Sequence, residues 1–149
     1  VTGVDLVKEQ IRIARGRRMG PAESFLHPKG WAIECRINAE DPYNNFMPSV
    51  GPITTLLTPS GPGVRVDSGV YRGFEISPYY DSMIAKLIVH GATRDEAVER
   101  LLAALSRFEV GGIATNIPLL SAIAAHPDFR NNNVSTRWLE TTILPSFSA

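Results

Sequence analysis

Hydrophobic and polar residues alternate most clearly over residues 30–41, which read G-W-A-I-E-C-R-I-N-A-E-D. Because successive side chains of an extended strand point to opposite faces, this pattern predicts a strand with one apolar and one polar face. The apolar face, which can be packed, carries Trp31, Ile33, Cys35 and Ile37. The polar face carries Ala32, Glu34, Arg36 and Asn38.

The polar face presents a candidate binding group, the guanidinium of Arg36. An arginine held on a rigid strand offers two parallel N–H groups to a planar anion or to a polarised carbonyl. The residues alone also allow a simpler interpretation, an ordinary solvated strand face on which Glu34 and Arg36 are neighbours. The sequence pattern does not decide between these two interpretations.

Shorter patterns predict the remaining elements. Further strands are predicted at residues 53–57, 64–67, 74–77 and 83–90. Helical spacing and capping signals predict three helices, which begin near Thr2, near Thr93 and at Asn116. Turn formers predict an irregular loop at residues 40–48 and a hairpin connection at 68–73. Short strands between helices, without βαβ alternation, predict an α+β fold with a small antiparallel sheet flanked by helices.

Composition excludes several classes of partner. Lys+Arg and Asp+Glu both count 15 in the 149 residues, so no excess of charge favours a nucleic acid or an acidic membrane. No apolar run is long enough to span a membrane, and the N-terminus does not resemble a secretory signal. The single cysteine, Cys35, is expected to be a reduced core residue in a cytoplasmic protein. The chain lacks an initiator methionine, which suggests a piece of a longer protein.

Motifs for phosphate binding, zinc hydrolysis and serine nucleophiles are absent from the sequence. The three histidines are far apart and give no zinc spacing, so no metal site is expected in this chain. Lys86, in an apolar strand, is either a perturbed amine or a side chain that extends to solvent. From the residues alone, the candidate site comprises the strand face around Arg36, the loop that follows it and Tyr79-Tyr80-Asp81. These residues alone do not indicate which reaction the protein catalyses.

Several strings, in order and spacing, resemble the C-terminal domain of biotin carboxylase, the ATP-grasp component of biotin-dependent carboxylases. They are V-T-G-V-D-L-V-K-E-Q (1–10), E-C-R-I-N-A-E-D-P (34–42), F-M-P-S-V-G (46–51), G-P-G-V-R-V-D-S (61–68), Y-Y-D-S-M-I-A-K-L-I (79–88), T-N-I (115–117) and T-R-W-L-E (136–140). The resemblance implies a rudimentary barrel-like sheet. It also implies a reaction in which ATP activates bicarbonate and biotin on a carrier is then carboxylated.

The resemblance also implies roles for individual residues. Arg36 takes the place of the arginine that faces the ureido oxygen of biotin, and Tyr80 and Asp81 fall beside the biotin pocket. Asp81 is expected either to orient Arg36 or the ureido N–H, or to support its loop. Thr136 falls near the adenine of ATP. Two further residues, in the region that forms the family's homodimer interface, are Arg65 and Pro62; some family members carry an aromatic residue at the proline position.

The implied cofactors are biotin, ATP and Mg²⁺, with the magnesium ligands and most ATP ligands upstream of this chain. The implied partners are a biotin carboxyl carrier, a carboxyltransferase and a second copy of the full-length protein. Residues 1–20 would be a helix leading from a missing ATP-grasp domain, 21–141 the C-terminal domain and 142–149 a frayed tail. The piece alone is expected to be inactive, and an acetyl-CoA or propionyl-CoA acceptor, hence fatty acid biosynthesis, is favoured. The alternatives are a non-catalytic dimerisation or scaffold module and another ATP-grasp ligase.

Overall fold

The computed structural model describes residues 1–20 and 27–147. In chain order its elements are α1 (Leu6–Ala14), β1 (Trp31–Asn38), β2 (Glu40–Asp41), β3 (Met47–Pro48), β4 (Gly51–Pro52), β5 (Thr55–Leu57), β6 (Val64–Ser68), β7 (Glu75–Ile76), β8 (Met83–Gly91), α2 (Arg94–Leu105), β9 (Glu109–Gly111), α3 (Ile117–Ala125), α4 (Pro127–Arg130), a π-helix (Leu139–Ile143) and a 3₁₀ helix (Leu144–Ser146). Strands separated by helices, with antiparallel pairing throughout, confirm the predicted α+β class. The predicted connector from Gly20 to Gly30 lies partly outside the described residues.

The central sheet has three antiparallel strands in the order β1-β8-β6. Cys35 of β1 and Val66 of β6 both lie opposite Leu87 of β8, so the apolar faces of the strands coincide. Helix α2 packs against this face. Buried residues of the strands and helices form one core, which includes Cys35, Ile37, Ile53, Leu87, Val89, Leu101, Leu105 and Phe108. Trp31 was predicted to belong to this packed face, but it is 49% exposed at the end of β1.

Three two-stranded pairs surround the sheet: β2 with β3, β4 with β7, and β5 with β9. The first pair corrects the prediction that residues 40–48 are irregular, because Glu40–Asp41 and Met47–Pro48 close a small hairpin. Residues 68–73 do not connect paired strands, since β6 pairs with β8 and β7 pairs with β4. Strand β9, which the sequence did not predict, adds to β5.

The sequence predicted the N-terminal cap of α2 correctly but not that of α1. Asp5, not Thr2, caps α1 by accepting a hydrogen bond from the Lys8 N–H at 3.0 Å. Thr93 caps α2, as predicted, by accepting from the Glu96 N–H at 3.2 Å. No residue of α1 is buried, so its apolar side chains lie on the surface of the described residues.

The C-terminal segment is helical where fraying was expected from residue 142. Ile143, in the π-helix, is only 5% exposed, and residues 144–146 continue as a 3₁₀ helix. The ring of Phe147 stacks on that of Tyr43 at 4.9 Å between centroids. The segment is therefore packed through residue 147, and the last two residues of the predicted tail lie outside the described residues. None of the helices described is long and apolar enough to cross a bilayer.

Candidate functional site

Arg36 lies on the polar face of β1, as the alternation predicts, and its side chain is 72% exposed. Its backbone neighbours Cys35 and Ile37 are buried in the core, so the strand beneath the guanidinium is anchored. Its Nε lies 3.7 Å from the Glu34 Oε1, too far for a hydrogen bond and weak as an exposed ion pair. The guanidinium therefore keeps its donors available to a ligand.

Cross-strand neighbours give the exposed sheet face a regular charge pattern. Arg36 lies opposite Lys86, and Lys86 lies opposite Asp67 on the other side. In the adjacent row, Ile88 lies between Glu34 and Arg65. Two cations are thus adjacent at the Arg36 end of one row, which favours an anionic group there.

The core side of β1 holds the only cysteine of the chain, Cys35. Burial raises the pKa of its thiol from 9.0 to about 11, and the nearby charge of Glu34 adds to this. A neutral, buried thiol is unreactive, because the thiolate is the nucleophile. Cys35 therefore acts as a core residue, as the sequence indicates.

Tyr80 and Asp81 lie in the turn before β8, and Tyr80 is 84% exposed. Both line a cavity of about 420 Å³. Its remaining lining is mostly apolar and includes Val70, Phe74, Ile76, Met83 and Ile84. Arg36 does not line this cavity. Arg36 lies opposite Lys86, and Lys86 comes five positions after Asp81 in the chain. Five extended residues span about 16 Å, so Arg36 lies well along β8 from the Asp81 turn.

The carboxylate of Asp81 supports its own turn. Its Oδ1 accepts a hydrogen bond from the Met83 N–H at 2.8 Å, which starts β8. Within residues 1–20 and 27–147, the carboxylate at ion-pair distance from Arg36 is that of Glu34, not Asp81. The structure therefore supports turn formation by Asp81 and shows no contact through which it would orient Arg36.

A polar cluster that the sequence did not reveal joins the end of β1 to the Asp81 turn. The Ser82 hydroxyl donates to the Glu40 Oε1, and the Asn38 Nδ2 lies 3.4 Å from the same oxygen. The backbone N–H of Ala39 also donates to the Ser82 carbonyl at 2.8 Å. The two bonds that involve Ser82 span more than 40 positions of sequence, so only the folded chain brings these groups together.

Asn116 was predicted to cap α3, and it does occupy the N-cap position. Its side chain makes no capping hydrogen bond to that helix. Instead it bonds to the backbone of β1 at Arg36 and Asn38. The sequence therefore predicted correctly that α3 begins at Asn116. It did not predict the contact of Asn116 with β1.

Arg65 and Asp67, on β6, form an exposed bidentate pair with N–O distances of 2.8 and 2.9 Å. The hydrogen bond lowers the pKa of Asp67 and raises that of Arg65. Pro62 lies in the turn just before β6, and Gly63 follows it with φ of +71°. An added Cβ at Gly63 would meet the Arg100 side chain and the His90 carbonyl, so this turn requires glycine.

Thr136 is exposed and lies in the turn between α4 and the π-helix. The neighbouring Trp138 is fixed by a hydrogen bond from its Nε1 to the Asp128 Oδ2 at 3.1 Å. Its ring also meets His126 edge to face at 5.2 Å. Thr136 thus lies far along the chain from Arg36, next to a rigid aromatic cluster.

The sequence profile of the biotin carboxylase C-terminal domain matches residues 34–141. The chain belongs to this family. The match covers the strand of Arg36, the Asp81 turn and Thr136, and it confirms the resemblance drawn from the motifs. It also favours a biotin carboxylase over other ATP-grasp ligases.

Relatives of this biotin carboxylase domain are much longer proteins. Biotin carboxylase 1 of Bacillus subtilis is 52% identical over 141 residues, which cover 95% of this chain and 31% of that protein. The mitochondrial propionyl-CoA carboxylase alpha chain of Homo sapiens is 43% identical over 141 residues, covering 93% and 19%. The chain therefore spans about a third or less of the relatives it matches.

Solved structures of the family share the fold described above. The biotin carboxylase domain dimer of Hydrogenobacter thermophilus 2-oxoglutarate carboxylase, in complex with MgADP, ADP and bicarbonate, superposes with a TM-score of 0.89. It is 49% identical, and the match covers 94% of this chain and 31% of that one. A family member of this fold thus carries nucleotide, magnesium and bicarbonate in a chain about three times longer.

The described residues of this biotin carboxylase domain offer sites for an anionic oxygen and a small molecule, but not for a metal ion. No group of three or more His, Cys, Asp or Glu side chains among them could hold a metal ion. The exposed guanidinium of Arg36 fits an anionic oxygen such as that of an ionised urea. The cavity beside Tyr80 has the volume and apolar lining usual for a small-molecule site.

Proposed function

We propose that this chain is the C-terminal part of a biotin carboxylase that carboxylates carrier-bound biotin with bicarbonate and ATP. The γ-phosphoryl group of ATP passes to bicarbonate, which gives ADP and carboxyphosphate. Cleavage of carboxyphosphate releases CO2 and phosphate. A base removes the N1′ proton of biotin, and N1′ then forms a C–N bond to CO2.

Arg36 is the residue through which this chain acts on that reaction. Removal of the N1′ proton places negative charge on the ureido oxygen. The guanidinium of Arg36 is exposed on a strand whose flanking residues are buried, so it can donate to that oxygen without rearranging the fold. A donor aimed at charge that develops during reaction contributes about 3–4 kcal/mol, judged from removal of one oxyanion-hole donor. The exposed, anchored guanidinium is the observation that supports the proposal most directly.

The other ligands occupy different parts of the longer protein. Tyr80 and Asp81 are proposed members of the biotin pocket, and the cavity that they line does not include Arg36. Thr136 would contact the adenine of ATP, while Mg²⁺ and most of the nucleotide would be held outside this chain.

The proposed partners follow from the reaction. A biotin carboxyl carrier brings the ureido group to Arg36, and a carboxyltransferase passes the carboxyl group to an acceptor. Acetyl-CoA or propionyl-CoA is the proposed acceptor, which would place the protein in acyl-CoA metabolism in the cytoplasm. A second copy of the full-length protein would pack near Arg65 and Pro62.

The exposed helix α1 would connect this domain to an ATP-grasp domain. Its apolar side chains include Leu6, Val7 and Ile11, and all three are exposed in the described residues. Burial of one such side chain is worth about 1.5–3 kcal/mol, so a covering domain would stabilise the helix. On this ground we propose residues 1–20, which are helical over Leu6–Ala14, as the linking segment.

The decisive experiment replaces Arg36 by Glu in the full-length protein. Carboxylation of free biotin should fall by about two to three orders of magnitude, as for loss of an oxyanion donor. Bicarbonate-dependent ADP release without biotin and the thermal midpoint should remain near those of the unmodified protein. Arg107→Glu, an equal charge change on an exposed residue after α2, is the matched control.

Two other outcomes would change the proposal. Loss of oligomer assembly with carboxylation intact would favour a scaffold role for this domain. Carboxylation by the 149-residue chain alone, measured as biotin-dependent ADP release, would show that the upstream groups are unnecessary.

A further inference from the structure

Asn116 makes three hydrogen bonds to the backbone of β1 around Arg36. Its Oδ1 accepts from the Asn38 N–H at 2.9 Å, and its Nδ2 donates to the Arg36 carbonyl at 3.0 Å. Its own backbone N–H donates to the Asn38 carbonyl at 3.1 Å. The side-chain amide thus bonds to the strand as a peptide group of a neighbouring strand would.

The position of these bonds matters because β1 is an edge strand of the order β1-β8-β6. The pairing of β1 with β8 also shifts register between Ile37 and Asn38, one residue beyond Arg36. An irregular pairing of this kind bends and twists a strand. Asn116 therefore holds β1 from its other side at the point where the pairing with β8 is irregular.

Asn116 occupies the N-cap of α3, where an asparagine side chain usually accepts a hydrogen bond from the first helical turn. Here the side chain makes no such bond. The chain thus forgoes a local contact in order to bond residues 78 and 80 positions away. A side chain that serves only helix α3 would not be arranged in this way.

We propose that Asn116 is a positioning residue for Arg36. By bonding the Arg36 carbonyl and the Asn38 N–H, it fixes the peptide planes on both sides of Ile37 and so the direction in which the guanidinium leaves the strand. Asn116 itself does not touch biotin. This role rests on the proposed function of Arg36.

The test uses Asn116→Asp in the full-length protein, with Asn131→Asp as an equal change in the exposed turn after α4. The aspartate is isosteric and keeps the acceptor for the Asn38 N–H, but it sets a carboxylate oxygen against the Arg36 carbonyl. We expect biotin carboxylation to fall by about tenfold or more, while bicarbonate-dependent ADP release without biotin changes less than about twofold. Equal loss of both activities would show a general structural role and overturn the proposal.

A double-mutant cycle separates action through Arg36 from independent effects. In an Arg36→Ala background, Asn116→Asp should cause no further loss of carboxylation, because residues that act as one unit are not additive. Independent, additive losses would overturn the proposal. If Arg36→Ala is as active as the unmodified protein, the proposed function fails; if it is inactive and Asn116→Asp is fully active, only the positioning role fails.

Amide hydrogen exchange on the unmodified protein tests the proposal even if the Asn116 variant fails to fold. The backbone N–H of Asn38 should exchange with deuterium as slowly as that of Leu87 in the central strand, although β1 is an edge. Fast exchange at Asn38 would mean that Asn116 does not hold the strand and would overturn the proposal. If Asn116→Asp is unfolded, Asn116→Ser serves for the activity ratio.

Discussion

Arg36 and Lys86 occupy directly opposite positions on β1 and β8, so two cations share one row of the exposed sheet face. Like charges in opposite positions are destabilising, and Asp67 on the far side of Lys86 offsets part of this repulsion. Across the strands the guanidinium faces a second positive charge, while along β1 the Glu34 carboxylate lies 3.7 Å from its Nε. This arrangement suits a residue that must remain available to a developing anion.

The first prediction concerns Lys86→Glu in the full-length protein. The new carboxylate would attract Arg36 and repel Asp67, and these cross-strand terms of about 0.2–1 kcal/mol each should nearly cancel in stability. Biotin carboxylation should nevertheless fall by about tenfold or more, which corresponds to about 1.4 kcal/mol of lost transition-state stabilisation. Thermal unfolding and carboxylation rates measure the two effects, with Lys29→Glu as the control for net charge. Unchanged carboxylation would mean that the charge beside Arg36 is irrelevant.

The second prediction separates the two roles considered for Asp81. Asp81→Asn keeps the oxygen that accepts from the Met83 N–H, whereas Asp81→Ala removes it. We expect the asparagine variant to match the unmodified protein in unfolding free energy and the alanine variant to lose about 0.5–1.5 kcal/mol, the net worth of one hydrogen bond. Carboxylation should follow the same order. If both variants lose carboxylation equally, the charge of Asp81 takes part in the reaction and the turn is secondary.

The third prediction concerns assembly of the full-length protein. Arg65 is held by Asp67 in a bidentate pair on the surface, which keeps the side chain in one orientation for a partner. Arg65→Glu breaks this pair and places two carboxylates together. We expect the dimer dissociation constant to rise by about tenfold or more, since 1.4 kcal/mol corresponds to that factor. Sedimentation equilibrium measures it, with Arg72→Glu as control. An unaltered dimer would place the interface elsewhere.

Alternation of residue types was sufficient to predict β1, because one of its faces packs against the core, and β-branched residues before Gly91 indicated β8. Capping was predicted equally well for α2, where Thr93 and Glu96 are close in sequence. The two-residue strands were not predictable, since a pair such as Gly51–Pro52 is defined only by its partner across the fold. The burial of Trp31 was predicted wrongly, because the residue is on the apolar side of a strand but at its end.

Features of the site that depend on a single strand were predictable. Features that depend on contacts between two distant segments were not. Arg36 could be placed on an exposed strand face from its neighbours in sequence. The bond of Asn116 to that strand could not, because a local preference for helix capping gives way to a contact 80 positions away. The link between Glu40 and Ser82, 42 positions apart, was unpredictable for the same reason.

The fourth prediction uses the thiol of Cys35, whose pKa burial raises from 9.0 to about 11. Between these values the unfolded chain ionises while the folded chain stays neutral. The stabilisation is fully present below pH 9 and is lost as the pH rises to about 11. Relative to Cys35→Ala, the unmodified chain should lose about 2–3 kcal/mol of unfolding free energy over that range.

Urea unfolding of both chains at pH 8 and pH 11 measures this difference, and the comparison removes contributions of other titrating groups. Because the chain has one cysteine, the rate of labelling by a thiol reagent gives an independent measure. Labelling should be slow in the folded chain at pH 8 and fast in urea. Parallel pH profiles for the two chains would show that the thiol ionises normally in the folded state.

The final prediction tests the packed C-terminal segment. Proline and serine near its end suggest fraying, but the structure buries Ile143 and stacks Phe147 on Tyr43. Ile143→Ala should therefore lower the unfolding free energy by about 2–5 kcal/mol, the usual cost of truncating a buried aliphatic side chain. Glu140→Ala, on an exposed residue of the same helix, should change it by less than about 0.5 kcal/mol. Chemical denaturation compares the two, and equal midpoints would restore the frayed tail that the sequence suggested.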